Sequence, residues 1–287
     1  MPQIARDIPA ARSAIAAARR SGARIGFVPT MGALHAGHVS LVDACRRDGC
    51  FTVVSIFVNP TQFGPNDDFT RYPRDEAGDL ARCEAAGADL VFLPRVEEVY
   101  PAGAVTTIHV AKLTDTLCGP HRPGHFDGVA TIVAKLFNIV QPDRAYFGEK
   151  DAQQLVIIRQ MVLDLDMPIQ VVGCPTLREP DGLAMSSRNA YLSPTERVQA
   201  TCLYRALVHA RVRIFAGESN ATRIERELAN IVAAAGPSTV DYVSVVDPRD
   251  LQPVSKVDQP VLVALAVRIG ATRLIDNLRV DPFANAR

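Results

Sequence analysis

Residues 51–58 read FTVVSIFV, eight residues without a charge, closed at both ends by turn-forming residues. A strand of that composition is buried on both faces, which puts it inside a parallel sheet covered by helices. The rest of the first half follows suit. Short β-rich runs at 25–28, 89–93, 145–147 and 169–172 alternate with helical patterns at 10–20, 39–47, 75–86, 127–140 and 151–165. Within 127–140 the residues Val129, Ile132, Val133, Leu136, Phe137 and Val140 recur at helical spacing. Such alternation predicts strand–helix–strand units and helices on both sides of one sheet.

After Asn189 the pattern changes. Ser193, Pro194 and Glu196 mark a helix start, with the serine as N-cap, proline at the first helical position and a glutamate in the first turn. A long helix to about residue 216 and another at 221–235 precede strands at 242–246, 261–267 and 273–275. The expected architecture is α/β: a Rossmann-like parallel sheet flanked by helices over 1–176, then a smaller C-terminal α+β domain over 177–287, joined near 175–190.

Composition removes several function classes. Lysine plus arginine and aspartate plus glutamate number 31 each, so no net field draws the chain to nucleic acid or an anionic membrane. No apolar run approaches the roughly 20 residues that span a bilayer. The six cysteines (45, 50, 83, 118, 174 and 202) show neither a CxxC pair nor zinc-ligand spacing. A cytoplasmic protein with reduced thiols is expected. Lysine occurs only at 112, 135, 150 and 256, so the setting of each carries information.

The segment from Pro29 to His38, PTMGALHAGH, lies where the first strand of the alternation hands over to a helix. Ligands of open α/β sheets bind at that edge. Gly32 and Gly37 allow close backbone approach. His35 and His38, three apart, point the same way on an opening helical turn. Two imidazoles beside a helix N-terminus make an anion site suited to a triphosphate. A pair of metal ligands and a solvated surface pair are the competing readings. The first lacks a nearby third ligand, and the second fits poorly after a buried strand.

Phe147-Gly148-Glu149-Lys150-Asp151 again follows a strand and opens a helix. Asp151 suits its N-cap, Lys150 would meet phosphate oxygens as a point charge, and Gln154 would face the same cleft. Taken alone, a capped helix with a solvated lysine explains this segment as well. Met185-Ser186-Ser187-Arg188-Asn189 places two hydroxyls and a guanidinium at the domain junction. That chemistry suits a mobile lid over phosphates and is also ordinary in linkers.

Together, HxGH and the later Met-Ser-Ser-Arg resemble the HIGH and KMSKS signatures of the nucleotidylyltransferase and class I aminoacyl-tRNA synthetase superfamily. Longer strings narrow the likeness: PTMGALHAGHVSL at 29–41, SIFVNPTQFGPNDDFTRYPR at 55–74, RPGHFDGVATIV at 122–133, KLFNIVQPD at 135–143, FGEKDAQQL at 147–155, DGLAMSSRNAYL at 181–192 and LIDN at 274–277. From end to end the chain resembles the pantoate–β-alanine ligase (pantothenate synthetase) family. The resemblance implies an AMP-forming ligase of pantothenate and coenzyme A biosynthesis. Pantoate and ATP give a pantoyl adenylate and pyrophosphate, and the amine of β-alanine then displaces AMP.

It further implies an ATP site lined by Met31, Gly32, Ala33, Leu34, His35, Ala36, Gly37 and His38, with His38 the family's proton donor and His35 beside it on the phosphates. Gly148, Glu149, Lys150 and Asp151 would form a second ATP wall, and Met185, Ser186, Ser187 and Arg188 would clamp the triphosphate. Leu177 would lie by the adenine through its backbone. Catalysis would rest on His38, His35, Lys150, Ser186, Ser187 and Arg188. Gln62 would hold pantoate and β-alanine, Gln154 pantoate, and Arg122 the β-alanine carboxylate, although an arginine tied to a loop is the plainer account of Arg122. Tyr72 and Arg74 sit on a segment similar to the family's cover over the site. Magnesium is implied as ATP's companion, with Asp79 as its one protein carboxylate. Here the acidic run at 75–79 is interrupted by Ala77 and Gly78. A homodimer is implied as well. The rivals are another HIGH-superfamily nucleotidylyltransferase acting on a different small acceptor, a synthetase fragment, and a non-catalytic nucleotide-binding module.

Overall fold

A computed structural model describes residues 1–65, 67–237 and 239–284. Asn66, inside the 55–74 motif, lies outside them. The chain divides into two compact units. The first comprises Met1–Val110, Arg122–Glu149 and Ile157–Pro175, and the second Ala111–His121, Lys150–Val156 and Thr176–Arg287. No helix among the described residues is long and apolar enough to cross a membrane.

Six parallel strands form the sheet of the first unit: β1 (Gln3–Ala5), β2 (Ile25–Thr30), β3 (Phe51–Ile56), β4 (Leu90–Phe92), β5 (Arg144–Gly148) and β6 (Gln170–Cys174). Their order is β1-β4-β3-β2-β5-β6. The chain leaves β2 toward β3 and β4, then returns to β5 on the other side, so the β2/β5 boundary is the switch point at which such sheets take ligands. Val28, Val54 and Val91 are fully buried and stand in register across β2, β3 and β4. β3 ends two residues before the apolar run does. Phe57 still donates its N–H to Thr30 O at 3.0 Å, and Pro60 then opens a 3-10 turn, Pro60–Gln62.

The flanking helices are α1 (Ile8–Arg20), α2 (Ala36–Arg47), α3 (Glu76–Ala85), the short α4 (Val96–Val99), α5 (His125–Val140) and α6 (Ala152–Asp164). Twelve of the sixteen α5 residues are buried, as expected for a helix apolar nearly all round. Its Phe137 meets Phe27 and Phe147 edge-on, with ring centres 6.4 and 6.3 Å away. Gly128 is required at its place. A Cβ there would lie 2.4 Å from Thr61 O, so only glycine lets α5 press on the Pro60–Gln62 turn.

In the second unit β7 (Thr239–Val246), β8 (Val261–Ile269) and β9 (Thr272–Val280) form an antiparallel sheet in that order. Leu203, Leu207, Ile224 and Leu228 of α8 (Cys202–Phe215) and α9 (Ala221–Ala233) share one core with Val263, Leu265 and Val267 of β8. The single helix expected to residue 216 is two, α7 (Pro194–Ala200) and α8. Between them the Thr201 hydroxyl donates to Val198 O at 2.7 Å, competing locally for a helical carbonyl. β9 is also three times the length expected at 273–275, because buried Asp276 and Asn277 hide the alternation.

Candidate active site

The turn after β2 is held from several sides. Thr30 Oγ1 donates to Ser55 O at 2.7 Å and accepts Gly32 N–H at 3.2 Å, tying the end of β2 to β3 and to the turn. Gly32 and Ala33 both take positive φ, +81° and +49°. The N–H groups of Ala33 and Leu34 donate to Asp79 Oδ2 and Oδ1 at 2.8 and 2.7 Å. Burial pushes the Asp79 carboxyl above its usual range, against the pull of those two amides. His35 is then the N-cap of α2, whose start at Ala36 lies three residues ahead of the one expected at 39.

Both histidines serve this helix end. Gly37 N–H donates to His35 Nδ1 at 3.1 Å, and His35 N–H donates to His38 Nδ1 at 3.3 Å, a capping box built from imidazoles. Each Nδ1 is thus an acceptor, which places the ring proton on Nε2. The rings lie 4.0 Å apart, centre to centre. The result is two Nε2–H donors at the positive end of a twelve-residue helix, chemistry suited to phosphate oxygens.

Gln62 meets this turn through Met31, its Nε2 lying 3.0 Å from Met31 Sδ. Asn59, 1% exposed, fixes which way the Gln62 amide faces. Its Nδ2 donates to Gln62 Oε1 and Gly128 O at 3.0 and 3.1 Å, while its Oδ1 accepts from Thr61 Oγ1 and Tyr100 Oη at 3.0 and 2.8 Å. Gln62 therefore offers a donor.

Behind Gln62 the RPGH segment forms a second lock. Arg122 Nη1 donates to His125 Nε2 at 2.9 Å, so that ring carries its proton on Nδ1 and donates it to Gln62 O at 2.8 Å. Arg122 Nη2 pairs with Asp67 Oδ2 at 2.8 Å. Burial works to raise the Asp67 carboxyl, but the Arg122 guanidinium and Gly64 N–H outweigh it and hold the group below the usual range. Arg122 Nε is buried without a hydrogen-bond partner among the described residues. Tyr72, 4% exposed, packs on Phe63, and Arg74 caps Tyr72 O at 3.1 Å while lying over the Phe69 ring.

The second unit carries the remaining motifs. Gly148 closes β5 in the first unit, and the 3-10 turn Glu149–Asp151 leads into α6. Lys150 Nζ lies 4.0 Å from Asp151 Oδ2, and Asn277 Nδ2 donates to Lys150 O at 2.8 Å. Gln154 is half-buried. Residues 177–185 fold back as a hairpin, Met185 N–H donating to Leu177 O at 3.0 Å and Arg178 bridging Ala184. Arg178 grips buried Asp276 with both Nη atoms, at 2.6 and 3.0 Å, and lies over the Tyr204 ring. Ser186 caps a 3-10 turn, Ser187–Tyr191, accepting Arg188 N–H at 3.3 Å. Asn189 anchors that turn to Glu179 Oε1 and Ala184 O at 2.8 and 3.1 Å. LIDN thus acquires a physical meaning. Asp276 holds the hairpin that leads into the serines, and Asn277 holds the main chain of Lys150.

Asn59, Tyr100, His125 and Asp67 were absent from the sequence reading as site residues. Asn59 lies inside VNPTQF and His125 inside RPGHFDG, so the strings were visible. Partners distant in sequence supply their roles. Among the described residues no group of three or more histidine, cysteine or carboxylate side chains is arranged to hold a metal.

The model of the family described as pantoate-beta-alanine ligase matches residues 3–279. The chain belongs to the pantoate–β-alanine ligase family. A pantothenate synthetase of Herpetosiphon aurantiacus is 58% identical over 265 residues, 92% of this chain and 96% of the relative. One from Moorella thermoacetica is 52% identical over 279 residues, 97% of this chain and 99% of the relative. The crystal structure of pantothenate synthetase from Thermus thermophilus superposes with a TM-score of 0.92 at 48% identity, over 96% of this chain and 98% of that one. The pantoate–β-alanine ligase from Francisella tularensis, complexed with beta-gamma ATP and beta-alanine, gives a TM-score of 0.80 at 36% identity, over 97% of each chain.

Proposed function

We propose that this chain condenses pantoate with β-alanine, using ATP, to give pantothenate, AMP and pyrophosphate. A carboxylate does not acylate an amine until its oxygen becomes a good leaving group, and AMP is one. A pantoate carboxylate oxygen bonds to the α-phosphorus as the bond to pyrophosphate breaks, giving pantoyl adenylate. The amine nitrogen of β-alanine then bonds to the acyl carbon as the bond to AMP breaks, and the nitrogen sheds its extra proton. The observation that carries this reading is the imidazole capping box at the switch point of the sheet, in a chain of this family. The Francisella relative complexed with beta-gamma ATP and beta-alanine supports the same substrates.

On this reading residues 1–176 bind ATP and pantoate, and residues 177–287 act as the lid domain. Met31 to His38 line the triphosphate, with the His35 and His38 Nε2–H groups donating to it. Positioning and charge carry most of such a transfer. Gly148, Glu149, Lys150 and Asp151 serve the same nucleotide, Lys150 as its ammonium. Met185, Ser186, Ser187 and Arg188 donate to its phosphates, and Leu177 lies by the adenine. Gln62 gives its Nε2–H to a pantoate oxygen and lies beside β-alanine, while Gln154 binds pantoate. Arg122 Nε–H, buried without a partner among the described residues, is the donor left for the β-alanine carboxylate. Magnesium accompanies ATP, held by phosphates and water. The active form is a homodimer in the cytoplasm.

The deciding experiment supplies ATP, magnesium, β-alanine and pantoate labelled with 18O in its carboxylate. Pantothenate and AMP should appear in equal amounts, with one 18O per AMP. Unlabelled AMP excludes the adenylate route. Pyrophosphate release indifferent to pantoate points instead to a nucleotidylyltransferase with another acceptor.

A further inference from the structure

The family resemblance implied a magnesium ligand at Asp79, and the residue's surroundings do not fit that role. Magnesium needs oxygen lone pairs open to a hydrated ion at about 2.0–2.1 Å in near-octahedral geometry. Asp79 is 1% exposed. Its two oxygens are divided between the N–H groups of Ala33 and Leu34, at 2.8 and 2.7 Å. Among the described residues it belongs to no group of three or more histidine, cysteine or carboxylate side chains arranged to hold a metal.

The same contacts show what the carboxylate does. Gly32 and Ala33 run through positive φ in succession, a backbone path that Ala33 in particular takes only when its surroundings impose it. A carboxylate accepting two adjacent amides across that path is such a surrounding. The fit is close on the other face as well. A Cβ on Gly32 would stand 2.8 Å from Asp79 Oδ2, so the carboxylate occupies the space that a side chain at 32 would fill. Immediately downstream the chain enters the imidazole cap of α2. We propose that Asp79 is a positioning residue: from α3 it clasps the Met31–Leu34 turn and so sets where the His35–His38 cap meets the triphosphate. This rests on the ATP reading of the turn.

Asp79→Asn tests it. The carboxamide retains one acceptor and sets its NH2 against a backbone N–H, so one of the two bonds is lost. The KM for ATP, measured at saturating magnesium, should rise about ten- to hundred-fold, the range for loss of a hydrogen bond to a charged group. The KM values for pantoate and β-alanine should move about two-fold or less. Amide exchange at Ala33 and Leu34 should quicken, while that along α3 stays as in the parent. The half-saturating magnesium concentration should not move. An unchanged ATP KM, or a shift confined to the magnesium requirement, overturns the proposal.

If the variant does not fold, the parent enzyme decides. Manganese added without nucleotide should leave the Ala33 and Leu34 amide resonances sharp, and selective broadening there restores Asp79 as a metal ligand. Failure of the ATP reading itself looks different, because the parent enzyme then shows no ATP KM to compare.

Discussion

At the scale of single residues, the proposed function gives His38 two separable tasks, one for each ring nitrogen. Nδ1 accepts a backbone N–H and completes the cap of α2, while the proposed function assigns the Nε2–H to the triphosphate. Asparagine reproduces an acceptor near the Nδ1 position and has nothing at the Nε2 position. His38→Asn should therefore fold with a stability within about 1 kcal/mol of the parent, since a good cap is worth about that much. Adenylation should nevertheless slow about 10²-fold or more, the scale of losing one donor aimed at developing charge. Single-turnover pyrophosphate release and a denaturant melt on one preparation separate the two effects. A variant that loses stability and keeps its rate would invert the assignment. The spacing of the histidines was legible in the sequence. Their use as caps was not, because a cap is defined by where the helix begins, and the apolar pattern starts three residues later.

Among elements, the described residues between the Pro60–Gln62 turn and Arg74 form no helix or strand. Phe63 packs on Phe69 and Tyr72, with ring centres 5.2 and 5.9 Å away, and the Asp67–Arg122 pair ties the segment to the start of α5. The aspartate side chain is 22% exposed and the arginine 15%, so water screens the pair only in part. Because the folded carboxyl sits below its usual range, the pair stabilises the fold in full above the unfolded value of about 3.9, and that contribution disappears as pH falls through the lower, folded value. Asp67→Ala should cost about 1.5–3 kcal/mol near neutral pH, as for other hydrogen bonds to charged groups. The gap between variant and parent should begin to narrow as the pH falls below about 3.9, where the unfolded carboxylate starts to take up its proton. Urea melts between pH 3 and 7 give the curve, and a gap that is constant across that range removes the ion pair as its cause. In the sequence this segment is legible only as part of the 55–74 string, since its order comes from a partner 55 positions away.

Over the whole molecule, the parallel sheet was legible because buried parallel strands leave unbroken apolar runs, as in β2 and β3. The second unit was legible in kind and misjudged in extent. β9 buries Asp276 against Arg178, and the neighbouring Arg273 is paired with Asp241 at 2.6 Å, so charge occupies places where the pattern demands apolar residues. Such strands become readable only with their partners. The cysteines raise a related question of what burial does to chemistry. All six are free and buried, and they are spread over both units. Burial pushes the Cys45 thiol up to about 12 and the Cys83 thiol up to about 11, and it raises Cys174 and Cys202 as well. The thiolate is the reacting form, so such groups are nearly silent at pH 8 even before access is considered. Access in turn requires opening of the surrounding core, which a domain of ordinary stability does rarely. An aromatic disulfide reagent at pH 8 should therefore titrate fewer than one thiol per native chain over the first minutes and all six in guanidinium chloride. Dithiothreitol should leave the Tm where it was. A thiol that reacts rapidly in the native protein would locate a part of the core that opens far more readily than its packing implies, and peptide mapping of the labelled cysteine would name the element.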